Sequence, residues 1–111
     1  GMERDYARLR GVEARYRLLF QLAGTPMLIV DAGNRKVVEA NAACPPVFGL
    51  SAARLIARTL PSLFDEHDWP ALDGLLAAAI GAGEAKGAVL RAAAGETRFL
   101  VSAHFFRQEG E

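Results

Sequence analysis

The N-terminal segment has apolar residues at alternating spacings of three and four, and five arginines occupy other positions between residues 3 and 22. Such a pattern predicts an amphipathic helix over residues 2–23. This flanking helix either packs on its own domain or pairs two copies as a short coiled coil, and two heptads leave both options open. The apolar stripe consists of Leu9, Val12, Tyr16 and Leu19.

Short apolar runs bounded by turn residues follow this helix. Gly24 and Pro26 end the helix, and "PMLIVD" then predicts a first strand because it is rich in β-branched residues. The segment "DAGNR" supplies Asp, Gly and Asn for a tight reversal, after which "KVVEA" resumes an extended pattern. Residues 26–41 therefore predict a β-hairpin.

The stretch "EANAACPPVFGLSAARLIARTL" cannot form one long helix, because it contains two prolines and Gly49. Asn41 and Ser51 are good N-cap residues, since their side chains can accept a bond from an unpaired backbone N–H. A helical turn is expected to begin at Ala42. Three short helical pieces are expected between Asn41 and Phe64.

The longest helix of the second half is predicted within "DEHDWPALDGLLAAAIGAG". Asp68 can cap it, Pro70 suits its first turn, and Gly81 or Gly83 can end it. Its expected apolar stripe consists of Trp69, Leu72, Leu76 and Ile80.

Two alternating segments, "KGAVLRA" and "TRFLVSAHFF", predict a second hairpin around an "AAG" turn. The order of helix, hairpin, short helices, long helix and hairpin predicts an α+β fold, with an antiparallel sheet covered by helices on one face. The expected core face of the last strand consists of Phe99, Val101, Ala103 and Phe105.

Length and charge exclude several classes of protein. A chain of 111 residues fits one domain, and 13 basic residues balance 13 acidic ones, so direct binding of nucleic acid is not expected. No charge-free run approaches the roughly 20 residues of a membrane helix. One cysteine and no secretory signal predict a cytoplasmic location.

A series of residues in the same order as these elements resembles the PAS domain, a small sensory module of histidine kinases, cyclic-dinucleotide enzymes and transcription regulators. The resemblance runs from about Tyr16 to Phe106 and places the domain in residues 24–111. Ala57 departs from it, since the family usually has glycine there, which is a mild change if the local φ is negative. The matching residues are Asp31, Asn41, Ala42, Ala43, Phe48, Gly49, Ser51, Leu55, Ile56, Glu66 and Asp68.

The resemblance also implies features of the sheet and of the assembly. The family's sheet has five strands, and the final central strand is expected to be missing from this chain, which leaves edges that invite pairing with a neighbouring chain. A homodimer is therefore expected. The implied interface combines the flanking helix with the outer sheet face, and its residues are Leu9, Val12, Tyr16, Leu19, Leu100 and Phe106.

The segments "MLIVDAGNRKVVEANAA" and "FFRQEG" resemble more closely the multi-PAS repressors of photosynthesis genes in purple bacteria, the PpsR/CrtJ type. This resemblance implies a sensory and dimerisation module within a larger bacterial regulator. DNA binding would then belong to a separate, covalently attached output domain.

Catalysis and metal binding have little support. His67 and His104 are the only histidines, no phosphate-cradling glycine motif occurs, and neither enzymatic activity nor a metal site is predicted. Some family members ligate haem through a histidine of the long helix, but His67 precedes that helix, where it fits a helix start. Cys44 is expected to be a small buried residue rather than a redox sensor.

The implied interior, between sheet and helices, is either filled by side chains or holds a pocket for an apolar ligand. With such a pocket, the alternative function is a receptor for a small ligand or for a cofactor such as haem or flavin. The cysteine motif of light-sensing flavin domains is absent from the sequence. No cofactor is predicted. The expected lining residues are Met27, Ile29, Phe48, Leu55, Ile56, Leu60, Phe64, Leu72, Leu76 and Phe99.

Overall fold

A computed structural model describes residues 14–107 of the chain. The chain divides into two compact units, one that ends at Arg58 and one that begins at Thr59. Each unit contains a two-stranded antiparallel sheet with helices, so the predicted α+β class is confirmed. The predicted domain bounds, 2–23 and 24–111, stay a prediction.

Helix α1 occupies residues 14–22 of the first unit, and the earlier part of the predicted flanking helix, with Leu9 and Val12, lies outside the described residues. Phe20 is the buried residue of α1, and Tyr16 stacks on it with ring centroids 6.4 Å apart. Leu19 is 69% exposed. The helix is therefore anchored through Phe20, while the described part of the predicted stripe faces solvent.

Strands β1 (Leu28–Val30) and β2 (Val37–Ala40) form the predicted first hairpin, with Leu28 opposite Ala40. The turn is stabilised by Asp31, whose Oδ1 accepts hydrogen bonds from the N–H of Gly33 at 2.7 Å and of Asn34 at 3.2 Å. An Asp carboxylate commonly stabilises a reversal in this way.

Two short helices follow, α2 (Cys44–Phe48) and α3 (Ala52–Leu55). Gly49 ends α2 in the left-handed region, with φ of 70°, where glycine carries no steric penalty. Ser51 caps α3 as predicted, because its side chain accepts a hydrogen bond from the Arg54 N–H. Helix α2 begins at Cys44 rather than Ala42, since the Asn41 side chain is engaged elsewhere.

Ala57 adopts a φ of 69°, so the condition under which alanine replaces glycine at little cost, a negative φ, is not met. Two backbone bonds hold the segment in place: the Ala57 N–H donates to Val37 O at 2.8 Å, and the Val37 N–H donates to Arg58 O at 2.8 Å. Left-handed backbone costs an L-residue about 1–2 kcal/mol, so Ala57 is strained.

In the second unit, 3₁₀ turns at Leu60–Leu63 and Glu66–Asp68 lead into α4 (Trp69–Ala82), which ends at Gly83. The predicted start and end of α4 are confirmed, but the Asp68 side chain makes no capping hydrogen bond. The predicted apolar stripe is wrong in part, because Trp69 and Ile80 are exposed. Between residues 71 and 80, apolar residues lie on nearly every side of α4, so the spacing of these residues alone does not show which side faces inward. The buried residues of α4 are Leu72, Leu75 and Ala79.

Strands β3 (Glu84–Arg91) and β4 (Arg98–His104) form the second hairpin. The predicted core face of β4 is confirmed, because half-buried residues alternate with exposed ones along the strand. Leu90 is fully buried opposite Phe99, and the Phe99 ring meets Phe64 edge to face at 6.5 Å.

Neither sheet gains a third strand within residues 14–107: β1 pairs with β2, and β4 pairs with β3. The Val37 N–H bond to Arg58 O uses the second edge of β2, and a bridge between Phe64 and Ala92 extends the second hairpin. The outer edges of β1 and β4 therefore carry no partner strand in this part of the chain. The pairing of these edges with a neighbouring chain stays a prediction.

Candidate functional site

Asn41 forms a buried polar hub in the first unit. Its side chain has no exposed surface, Oδ1 accepts a hydrogen bond from the Met27 N–H at 3.0 Å, and Nδ2 donates to Thr25 O at 2.8 Å. The Asn41 N–H also donates to Met27 O at 3.1 Å. Asn41 thus satisfies backbone groups of the segment that enters β1, where sequence reasoning assigned it only an N-cap.

The hub reaches the end of α1. Asn41 Nδ2 also lies 3.5 Å from Ala23 O, and Gln21 Nε2 donates to Ala40 O at 3.5 Å. The residues between α1 and β1 are therefore joined to the end of β2. These contacts connect the C-terminal end of α1 to the first hairpin.

Cys44 completes the hub. Its Sγ–H lies 3.2 Å from Met27 O and 3.3 Å from Asn41 Oδ1, and its side chain has no exposed surface. Burial raises the pKa of the Cys44 thiol above its usual range, against the smaller opposing effect of its hydrogen bonds to Asn41 and Met27. The thiol is protonated at neutral pH and lacks the nucleophilicity of a thiolate. The predicted burial of Cys44 is confirmed.

The ten predicted pocket residues differ in burial. In the first unit, Met27 and Ile56 are more than two-fifths exposed, whereas Leu55 is fully buried. The half-buried members of the ten are Ile29, Phe48, Leu76 and Phe99. The buried members of the second unit are Leu60, Phe64 and Leu72. Their role as a ligand pocket stays a prediction.

A cleft of about 170 Å³ lies instead at the turn end of the second hairpin, and none of the ten predicted residues lines it. Asp68 accepts a hydrogen bond from the Arg91 N–H at 2.9 Å and faces Arg91 Nε at 3.6 Å. Sequence reasoning missed this cleft, although Arg91 and Arg98 lie on the two sides of the "AAG" turn. The lining residues are Asp68, Val89, Arg91 and Arg98.

Both histidines lie at the surface beside an acid. His67 Nδ1 is 2.8 Å from Asp65 Oδ1, which also accepts the His67 N–H at 2.9 Å. These bonds, with the nearby charges of His67 and Arg91, lower the pKa of the Asp65 carboxyl. His104 Nδ1 lies 3.5 Å from Glu84 Oε2. The position of His67 at a helix start agrees with its predicted structural role.

Several residues predicted for a dimer interface present apolar surface. Leu100 is 77% exposed and Phe106 is 66% exposed. On α1, Tyr16 and Leu19 are exposed beside Leu22. Single exposed apolar side chains are common, but successive ones along a helix are typical of a surface that becomes covered.

Metal ligands and membrane-spanning helices can be assessed for residues 14–107. In this part of the chain, His, Cys, Asp and Glu side chains form no group of three or more that could hold a metal ion. No helix among these residues combines the length and the apolar character that a membrane crossing requires.

Comparison with known proteins gives a family and one curated relative. The family model described as the PAS fold matches residues 14–100. Protein CrtJ of Rhodobacter capsulatus is 36% identical to this chain over 55 residues, which make up 50% of the chain. The match spans 12% of the length of that protein.

Two solved structures share the fold. The PAS domain of a protein from Colwellia psychrerythraea has a TM-score of 0.62 and 14% identity over 71% of this chain and 68% of its own. The PAS domain of nitrogen regulation protein NR(II) from Vibrio parahaemolyticus has a TM-score of 0.57 and 18% identity over 78% of this chain and 77% of its own. At these identities the likeness concerns the fold.

Proposed function

The chain belongs to the PAS family, and from this premise we propose that it is the sensory and dimerisation module of a larger bacterial regulator. The module relays a signal through rearrangement of a homodimer in the cytoplasm. Its output, DNA binding, belongs to a separate domain of the same polypeptide. No catalytic step is assigned to the residues of this chain.

The hydrogen bonds of Asn41 are the observation that carries this proposal. They join the segment after α1 to β1 and to the end of β2, through Thr25 O at 2.8 Å and the Met27 N–H at 3.0 Å. A rigid polar connection of this kind has few alternative arrangements, because breaking it leaves buried groups unpaired. A change in α1 packing is therefore transmitted to the hairpin rather than absorbed between them.

The exposed side of α1 supports a dimer. Leu19 and Leu22 are each about 70% exposed, whereas Phe20 between them is buried. Covering one leucine contributes about 1.5–3 kcal/mol, and a twofold interface covers each residue twice. Association of two α1 helices removes this surface from water. The identity with CrtJ supports a place in a multidomain regulator.

The oligomeric state tests the proposal. Sedimentation equilibrium of the 111-residue chain is expected to show a dimer, and Leu19→Glu is expected to raise its dissociation constant at least about tenfold. Ile80→Glu is the matched control, because Ile80 is also exposed but lies on α4. A monomer at all concentrations, or equal weakening by both substitutions, contradicts the proposal.

The absorption spectrum of the same preparation separates the module from the receptor alternative. A module without a bound cofactor is expected to show no absorption band beyond the aromatic region. A visible band would indicate bound haem or flavin and would favour a cofactor-binding receptor. Measurement before and after mild denaturation distinguishes a bound cofactor from an impurity, because a specifically bound cofactor changes its spectrum on release.

A further inference from the structure

We propose that the cleft at the turn end of the β3–β4 hairpin binds an oxyanion, a carboxylate or phosphate group, held by Arg91 and Arg98. The cleft measures about 170 Å³, and both arginines line it with Asp68 and Val89. The site shares no residue with the predicted dimer interface, although Val89 is the direct cross-strand partner of Leu100.

The strand register places the two arginines together. Arg91 and Arg98 are direct cross-strand partners, and both are exposed, whereas the neighbouring pair of Leu90 and Phe99 faces inward. Directly opposed side chains have Cβ atoms about 4.5–5.5 Å apart, and like charges in that position destabilise a hairpin. An anion between the guanidinium groups removes this repulsion.

The acidic groups nearby satisfy one arginine. Asp68 faces Arg91 Nε at 3.6 Å, and the charge of Arg91 also contributes to the lowered pKa of Asp65. Among residues 14–107, no ion pair is found for Arg98. The cleft therefore has one guanidinium without a counter-charge beside another that is partly neutralised.

The shape of the cleft suits a small anion. One water molecule needs at least about 10–15 Å³ of free space measured in this way, so a cleft of about 170 Å³ has room for a group of several heavy atoms. Val89 lines the cleft but is 57% exposed, so the charges beside it remain in contact with solvent. Arginine binds carboxylates and phosphates through a planar fork of donors, so two guanidinium groups that line one cleft favour an oxyanion over chloride.

Titration of the ¹⁵N-labelled chain by NMR, with inorganic phosphate and with acetate at low salt, tests the site. We expect saturable shifts of the Arg91 and Arg98 amides with a dissociation constant on the order of 1 mM for the better probe. Tighter binding of phosphate would identify a phosphate group as the ligand, and tighter binding of acetate would identify a carboxylate. Both results support the site.

Substitutions separate this site from general charge attraction. Arg98→Gln is expected to weaken binding about tenfold, and Arg98→Lys is expected to weaken it less, because lysine keeps the charge but loses the fork. Arg54→Gln, on α3, changes the net charge by the same amount as Arg98→Gln and is expected to leave binding unchanged. Linear shifts without saturation, or equal weakening by Arg54→Gln and Arg98→Gln, would overturn the proposal.

Discussion

Asn41 and Met27 are joined by two hydrogen bonds that run in opposite directions. The Met27 N–H donates to Asn41 Oδ1 at 3.0 Å, and the Asn41 N–H donates to Met27 O at 3.1 Å. The side chain of Asn41 thereby continues the backbone pairing of β1 and β2 by one step beyond Leu28 and Ala40. It replaces a ladder bond at the point where the chain turns away toward α2.

Asn41→Ala is expected to lower the free energy of unfolding by about 2–4 kcal/mol, because the Met27 N–H and Thr25 O lose their buried partner. Urea unfolding followed by circular dichroism measures this change. Asn34→Ala is the control: Asn34 Oδ1 accepts the Lys36 N–H at 2.9 Å in an exposed turn, so its loss is expected to cost under about 1 kcal/mol. Equal costs for the two variants would refute the role of Asn41 as a buried hub.

Ala57→Gly is expected to stabilise the protein by about 0.5–1 kcal/mol. Glycine relieves the left-handed strain at φ of 69°, which outweighs the greater freedom of glycine in the unfolded chain. Ala78→Gly, at an exposed position inside α4, is expected to destabilise by about 1 kcal/mol, because the helix is regular there. Thermal unfolding of the two variants beside the parent chain tests this opposite sign. Destabilisation by both substitutions would show that Ala57 is unstrained.

Cys44 is expected to react with Ellman's reagent at least about tenfold more slowly in the folded protein than in urea, because the thiol is buried and protonated. The raised pKa also determines whether the stability of the protein rises or falls at alkaline pH. The contribution of the protonated thiol to stability is fully present below the unfolded thiol pKa of about 8.5. It is lost as pH rises through the higher folded pKa, by up to about 1.4 kcal/mol per pH unit.

Unfolding experiments on Cys44→Ala between pH 7 and pH 10 supply the control for this response. The variant lacks the thiol, so its stability is expected to decline less steeply with pH than that of the parent chain. Rapid labelling of the folded protein at neutral pH would instead mark Cys44 as an accessible, reactive thiol.

The elements of the fold were predictable because local chemistry determines them. Ser51 caps α3, and the alternating pattern of β4 gives its inward face, since period and capping act within a few residues. The face of α4 was mispredicted because alanines and leucines surround it on most sides. The φ of Ala57 was missed because alanine rarely adopts the left-handed region, and long-range bonds to Val37 impose it.

The sites were less predictable because they depend on pairs that are distant in sequence. The sequence indicated a structural role for Asn41 as an N-cap. Its hydrogen-bond partners Thr25 and Met27 precede it by more than ten positions. The cleft of Arg91 and Arg98 requires the exact hairpin register, which the "AAG" turn alone left undetermined.

A bulge in β3 lies between Ala85, which faces Ala103, and Ala88, which faces Val101. Gly87, with φ of 94°, lies in this bulge, and the inward positions of β3 change from odd to even residue numbers across it, from Ala85 to Ala88 and Leu90. The hairpin can consequently lose one residue at Gly87 and become regular without exchanging its faces. A deletion at Val89 that left this bulge in place would instead turn Leu90 to solvent, because it would shift the alternation of every later residue of β3 by one.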